Sequence, residues 1–229
     1  MNNAIDYHEH EAHTFKSKYL DKESFRSRLI FWQKIINSFK DLEVSLDLGC
    51  GPGWMTKELA KVSDKVVAVD GSKGMIDLAK VTVGLELMDK IDFKKLEINE
   101  KFWLSLKDVK FDLILSSSVL EYIDGAEEVL SSAYSSLKPN GHLVFSIPNR
   151  DSWFRLLESS AFKLFGIPAY RKLILNSWTK NDCFNILESI GYTIKEVYFQ
   201  GTVPFYSTMF FWLNENRRCP FIVIMASKN

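Results

Sequence analysis

The sequence predicts an α/β fold of buried parallel strands with helices laid across them, and three observations predict it. Residues 44–53, VSLDLGCGPG, carry alternating apolar positions (Val44, Leu46, Leu48) straight into a loop with glycine at every second position. That is a strand entering a loop whose backbone can take φ > 0 and approach a ligand with no Cβ in the way. Behind the loop, Met55, Leu59 and Val62 recur at helical spacing, so strand, glycine loop and helix follow in the order of a nucleotide site. Residues 65–70, KVVAVD, and 111–115, FDLIL, are near-continuous apolar runs, the pattern of strands buried on both faces.

Length and charge narrow the classes. At 229 residues the chain suits one domain with a real core. Lys plus Arg and Asp plus Glu each number 29, so the basic excess of a general nucleic-acid binder is missing and no nucleic-acid partner is expected. Three cysteines suggest no disulfide framework and a reducing compartment. No apolar run is long enough to span a bilayer, and the opening MNNAIDYHEH lacks the apolar stretch of a signal peptide. A cytoplasmic enzyme is the expectation. Nothing in the sequence sets the oligomeric state.

Taken in order, residues 1–23 are polar and carry His8, His10 and His13. No cysteine or histidine cluster follows to complete a metal site, so no metal is expected and the segment reads as solvated. From Ser24, the stripe Phe25, Leu29, Trp32, Ile36 and Phe39 marks an amphipathic helix with its apolar face in the core. Asp70 ends the second strand roughly twenty residues past the glycine loop, where an acid pairs with ribose hydroxyls; as a plain alternative it caps the next helix, which Ser72 does equally well. Residues 91–96 read as the third strand, followed by Glu97 and Ile98. Ser116, Ser117 and Ser118 stand at the carboxyl end of the fourth strand, where an open α/β sheet places its ligands.

Val129, Leu130, Ala133 and Leu137 then mark a helix, and LKPNG at 137–141 a turn before a fifth strand at 142–147. His142 begins that strand at the end remote from the ligand and reads as structural. Residues 150–178 break the βα rhythm. They are rich in aromatic and aliphatic side chains, among them Trp153, Phe162, Tyr170 and Trp178, and they carry Arg150, Arg155, Lys163, Arg171 and Lys172. Thr179 and Asp182 have capping-box spacing, so a helix begins near Asn181. Residues 192–199 and 221–226 read as the last strands, joined by an aromatic stretch at 205–212.

The spacing D-x-G-x-G-x-G, from Asp47 to Gly53, resembles motif I of the class I S-adenosylmethionine (SAM) dependent methyltransferases. The dinucleotide fingerprint G-x-G-x-x-G has its third glycine one residue later, and Trp54 holds that place here. The resemblance implies a Rossmann-like seven-stranded, mostly parallel sheet with helices on both faces and a last antiparallel strand. It implies a single domain over 1–229, with 1–43 a helical cap over the cofactor and 150–178 an inserted lid over the acceptor site. It also implies a set of SAM contacts. Asp47 would reach the amino group, and Gly49, Cys50, Gly51 and Gly53 would pass under the methionyl part. Asp70 would hold the ribose, with Gly71, Ser72 and Met75 (D-x-S-x-x-M) following and the methionine against adenine. Glu97 would meet the adenine amino group with Ile98 over the ring, and Ser116 would stand at the fourth strand's end. Leu96 and Glu97 depart from the Gly-Asp often found there.

After the fourth strand, Val119, Leu120, Glu121 and Tyr122 resemble the V-L-E-H of small-molecule methyltransferases, including the O-methyltransferases of quinone biosynthesis, with tyrosine in place of histidine. The expected reaction is in-line methyl transfer from SAM to a hydroxyl or amine of a small, largely apolar or aromatic acceptor. A hydroxyl acceptor needs a base; Glu121, Tyr122, His8 and His13 are the candidates, and none stands out. Cys50 reads as packing. The cations of 150–178 face an acidic group on the acceptor or an anionic membrane surface at which the protein sits peripherally. Two other readings stay open: a noncatalytic SAM-binding partner of the same fold, and a nicotinamide-dependent oxidoreductase, against which the glycine spacing argues.

Overall fold

The computed structural model describes residues 3–21, 23–166, 168–201 and 212–229. Strands β1 (Leu42–Leu48), β2 (Ser63–Asp70), β3 (Ile91–Lys95), β4 (Phe111–Ser116), β5 (Leu137–Pro148), β6 (Tyr192–Gln200) and β7 (Phe221–Lys228) form one sheet in the order β3-β2-β1-β4-β5-β7-β6. The first five pair in parallel, and β7 lies antiparallel between β5 and β6. This is the seven-stranded, mostly parallel α/β sheet expected. The order reverses between β1 and β4, which makes their carboxyl ends a crevice for ligands.

The apolar runs are continuous because the strands are covered twice. Ile114 of β4, Leu143 and Phe145 of β5, and Ile222 and Ile224 of β7 face one layer. Their neighbours Leu113, Leu115, Val144, Val223 and Met225 face the other. On the first face lie α5 (Glu100–Ser105), α6 (Ala126–Ser136) and α8 (Lys180–Ile190), contributing Phe102, Leu130 and Leu187. On the second lie α2 (Glu23–Ile36) and α3 (Trp54–Val62), contributing Trp32, Ile36, Met55 and Leu59. Of the predicted stripe, Leu29, Trp32, Ile36 and Phe39 are core packing, while Phe25 lines the cavity. The capping box of α8 is present, with Thr179 Oγ1 accepting from Asp182 N at 3.1 Å.

Two segments differ from expectation. Residues 1–23 are not a loose solvated stretch. Ala4–Asp21 form an 18-residue helix, α1, opened by Asn3 Oδ1 accepting from Asp6 N at 2.8 Å. It packs on α4 (Lys73–Val83): Glu9 accepts from Ser72 Oγ at 2.7 Å and from Gly74 N at 3.0 Å. A carboxylate at a helix N-terminus satisfies an orphan N–H and meets the positive end of the dipole. The turn at 137–141 is likewise part of β5. Leu137 pairs with Phe111 and His142 with Leu113, so the extra residues between them are extruded as a bulge, with Asn140 at φ 61°. Pro139 has no N–H to give a ladder, which is why the sequence reads there as a turn. The aromatic stretch 205–212 lies, apart from Trp212, outside the described residues.

Candidate active site

The glycine loop is drawn over the end of β2. Gly49 N and Cys50 N both donate to the carbonyl of Val69, each at 2.8 Å, and Gly53 N donates to Cys50 O at 3.0 Å. Two of its glycines do different work. A Cβ on Gly51, at φ +50°, would meet nothing within 4 Å, so the loop leaves open space where a ligand can lie on bare backbone. A Cβ on Gly53, at φ +82°, would stand 2.8 Å from Ala79 Cα and Cβ. Gly53 therefore brings α3 against α4 and does not line the cavity, contrary to its expected place under the cofactor.

The loop opens onto a cavity of about 770 Å³. Asp47, Gly49, Cys50, Gly51, Asp70, Gly71, Met75, Glu97 and Ile98 line one part of it. Asp47 is fully buried, with Thr56 Oγ1 donating to its Oδ2 at 2.5 Å. Loss of hydration pushes its carboxyl up to about 7, helped by the neighbouring Asp70. Asp70 is likewise raised by burial. Its Oδ2 accepts from Gly51 N and its Oδ1 from Ser72 N, both at 2.9 Å. Asp70 thus braces the loop as well as facing the cavity. Ser72 does not face it: its hydroxyl caps α4, accepting from Met75 N at 3.0 Å and donating to Glu9. Cys50 is buried, and burial drives its thiol well above the usual range, so it is no nucleophile.

The other part lies beyond β4. Ser116 is buried behind the wall, and the cavity meets Ser117 and Ser118 instead. Ser118 sits at φ 57°, a strained value for a non-glycine residue, held by its N–H donating to Ser146 Oγ at 2.9 Å. The 3₁₀ turn Leu120–Tyr122 carries Glu121 and Tyr122 to the cavity. Glu121 is 2% exposed, and its Oε2 has no hydrogen-bond partner among the described residues. Desolvation pushes its carboxyl up to about 7, against the pull of Arg28 and Arg155. Tyr122 is held above its ordinary value by burial and by Glu121, so its hydroxyl stays protonated. The His8 ring meets the Tyr122 ring edge-on at 5.5 Å, and both residues line this end of the cavity. The His13 side chain lies outside the described residues, and His10 is not on the cavity wall.

Residues 150–178 divide between two tasks. Helix α7 (Trp153–Phe165) turns Phe154 and Arg155 to the cavity, joined by Tyr170 and Ile174. Its other face leaves Trp153 at 45%, Leu164 at 75% and Phe165 at 73% exposure, so the segment does not bury all its large side chains within the chain. The segment is clasped to the site. Leu175 N donates to Glu121 O at 2.7 Å, and Asn176 Nδ2 donates to the carbonyls of Leu120 and Ile123 at 2.8 and 2.7 Å. Sequence reasoning missed Asn176, Phe221 and above all Arg28, whose Nη2 donates to Ser117 Oγ at 2.7 Å and Ser118 Oγ at 2.8 Å. Among the described residues, no three His, Cys, Asp or Glu side chains gather as a metal site, and no helix is long and apolar enough to cross a membrane.

Comparison with known proteins bears on this geometry. A family model described as a methyltransferase domain matches residues 19–197. The chain is 32% identical over 116 residues to the malonyl-[acyl-carrier protein] O-methyltransferase of Halalkalibacterium halodurans, covering 50% of this chain and 42% of that protein. It is 27% identical over 188 residues to the ubiquinone biosynthesis O-methyltransferase of Pasteurella multocida, covering 75% and 73%. The first of these curated relatives are matched over about half their length, 42–50%. The fold is similar to that of N-methyltransferase NodS from Bradyrhizobium japonicum in complex with S-adenosyl-L-homocysteine (SAH), with TM-score 0.70 and 18% identity over 99% of both chains. It is similar also to magnesium protoporphyrin IX methyltransferase ChlM from Synechocystis, with TM-score 0.71 and 17% identity over 98% of both.

Proposed function

This chain belongs to the class I SAM-dependent methyltransferases, and on that premise we propose that it transfers a methyl group from SAM to a hydroxyl or amine of a small, largely apolar or aromatic acceptor. The observation that carries the reading is one continuous cavity whose two parts are chemically unlike. Asp47, Asp70 and Glu97 line the part at the glycine loop, and Arg28, Arg155, Tyr170 and Glu121 line the part beyond β4.

The residues fit the cofactor. Two desolvated carboxylates, one of them raised further by the other, suit a cationic ligand, because a positive group beside Asp47 restores its charged form. Asp47 would hold the amino group, Asp70 the ribose hydroxyls and Glu97 the adenine amino group, with Met75 and Ile98 against the ring and Gly51 giving bare backbone. When bound, SAM supplies a methyl group already activated by its sulfonium. The chain's own task is then to position the acceptor and exclude water. α1 and α7 close the cavity from two sides, and Tyr170 and Ile174 form its apolar wall. Glu121, which lines the part of the cavity beyond β4, would take the proton of a hydroxyl acceptor. Titration calorimetry tests the reading: SAM and SAH bind and NADH does not. Binding of NADH without SAM would overturn it.

A further inference from the structure

The acceptor part of the cavity holds two opposite charges that do not touch. Arg28 enters from α2 and is anchored through one terminal nitrogen, which donates to the hydroxyls of Ser117 and Ser118 at 2.7 and 2.8 Å. Its Nε is buried without a partner, and among the described residues no carboxylate lies within salt-bridge distance of it. Glu121 attracts it electrostatically but makes no direct bond, and Glu121 Oε2 is left unpaired too. Arg155, the cavity's other arginine, is already committed. It donates to Glu158 Oε2 at 2.7 Å and to Pro220 O at 3.2 Å, and stacks 4.5 Å from the Phe221 centroid. Arg28 stands 5.7 Å from the same ring. The cavity wall therefore carries one guanidinium held by neutral hydroxyls with no carboxylate partner, one buried carboxyl and an aromatic ring.

Leaving such groups unpaired is costly: an orphaned buried donor or acceptor forfeits its solvation, and for a charged group the loss is larger. Both residues line the cavity, and Arg28 has no carboxylate partner there, so a ligand that complements them brings an anionic group to Arg28 and an O–H or N–H donor to Glu121. The planar fork of a guanidinium matches a carboxylate. We propose that the methyl acceptor is a small acid whose carboxylate is bound by Arg28, with the reacting hydroxyl or amine presented to Glu121 across an apolar body. This rests on the methyl-transfer reading above and names its substrate class. Arg28 is then a specificity-determining residue, while Ser117 and Ser118 aim it.

The experiment titrates the SAH-loaded chain with the three positional hydroxybenzoates and the matching hydroxybenzamides, which share shape and lack the charge. At least one acid should bind about tenfold to a hundredfold tighter than its amide, the range for a charge-assisted hydrogen bond. Arg28→Gln should abolish that preference without changing SAH affinity, which reports that the variant is folded. Arg28→Lys, which keeps the charge and loses the fork, should restore part of it. Absence of an acid preference throughout the set, or a preference that survives Arg28→Gln, overturns the proposal. Failure of the wild-type chain to bind SAH in the same titrations instead overturns the methyl-transfer reading on which it rests.

Discussion

Replacing Glu121 by glutamine keeps the side chain's volume and removes its titration, so the variant isolates what the buried carboxyl does. Burial raises this group from an ordinary 4.5 to about 7. The folded state therefore holds the proton to higher pH than the unfolded chain does, and folding stability falls wherever the unfolded state has already released it. The stability tied to this proton is fully present below about pH 4.5 and lost as pH rises through about 7. At roughly 1.4 kcal/mol per pH unit, the whole loss is about 3 kcal/mol, of which about 2 kcal/mol falls between pH 5.5 and 8.5. Asp47 titrates in the same window with the same sign. Its contribution cancels when variant and wild type are compared at each pH, since the two groups sit in separate parts of the cavity and distant effects add.

Urea unfolding at pH 5.5 and 8.5 reads the first consequence: relative to wild type, Glu121→Gln should gain about 2 kcal/mol of stability on going to the higher pH. Single-turnover methyl transfer reads the second. If Glu121 takes the proton of a hydroxyl acceptor, the variant should lose about a hundredfold or more in rate with SAM affinity unchanged. The wild-type rate should rise with pH through about 7, the value at which the carboxyl ionises. A variant with the same pH dependence of stability as wild type would refute the burial argument. Full activity would refute the base.

Four further outcomes follow from the same geometry. SAM should bind more tightly as pH rises through about 7 and, below that pH, displace the Asp47 proton into the buffer; calorimetry in buffers of different ionisation heat measures both, and pH-independent affinity would contradict the assignment. Asp70→Ala should weaken SAM by about tenfold to several hundredfold, and because it also strands Gly51 N and Ser72 N it should lower stability in urea as well. Gly53→Ala should cost roughly 2–4 kcal/mol, combining overpacking against Ala79 with a left-handed backbone; an unchanged unfolding midpoint would show that α4 yields. Tyr170→Ala should raise the acceptor KM with SAM affinity intact, whereas Trp153→Ala, on the exposed side of α7, should leave both alone.

Most of the sheet was legible because its strands are covered on both faces, which forces near-continuous apolar runs that no exposed strand would carry. The glycine loop was legible for a related reason: both Gly51 and Gly53 take left-handed backbone, and Gly53 also has no room for a Cβ against the neighbouring helix, so both demands are written as residue type. Helix α1 was not, because its partner is remote. Its anchors are Glu9 on the N-terminus of α4, 63 residues away at Ser72, and Ile5 and Ala12 packed against Gly71 and Gly74, and a mostly polar helix with so few apolar contacts looks in sequence like a solvated one. The same limit divided the expected site residues. Asp70 and Ser72 lie in one short motif, yet one turns to the cavity and the other is spent as a cap, a difference of side-chain direction that spacing does not encode.

Arg28 shows where the limit comes from. It flanks the apolar stripe of α2, three residues after Phe25 and four before Trp32, and a charged residue at the edge of such a stripe reads as solvated. What turns Arg28 inward is a pair of serine hydroxyls 89 and 90 residues further on, at the end of β4. Those serines read as small residues that leave room for ligands. In the fold they are hydrogen-bond acceptors, and Ser118 is held in a strained backbone conformation with its hydroxyl on the guanidinium. Strain of that kind persists only where surrounding structure enforces it, and it gathers at functional sites. The part of the cavity beyond β4 is therefore built by long-range pairings among residues that look ordinary one at a time, whereas the glycine loop is a local motif. That asymmetry explains why the sequence named SAM and left the acceptor open.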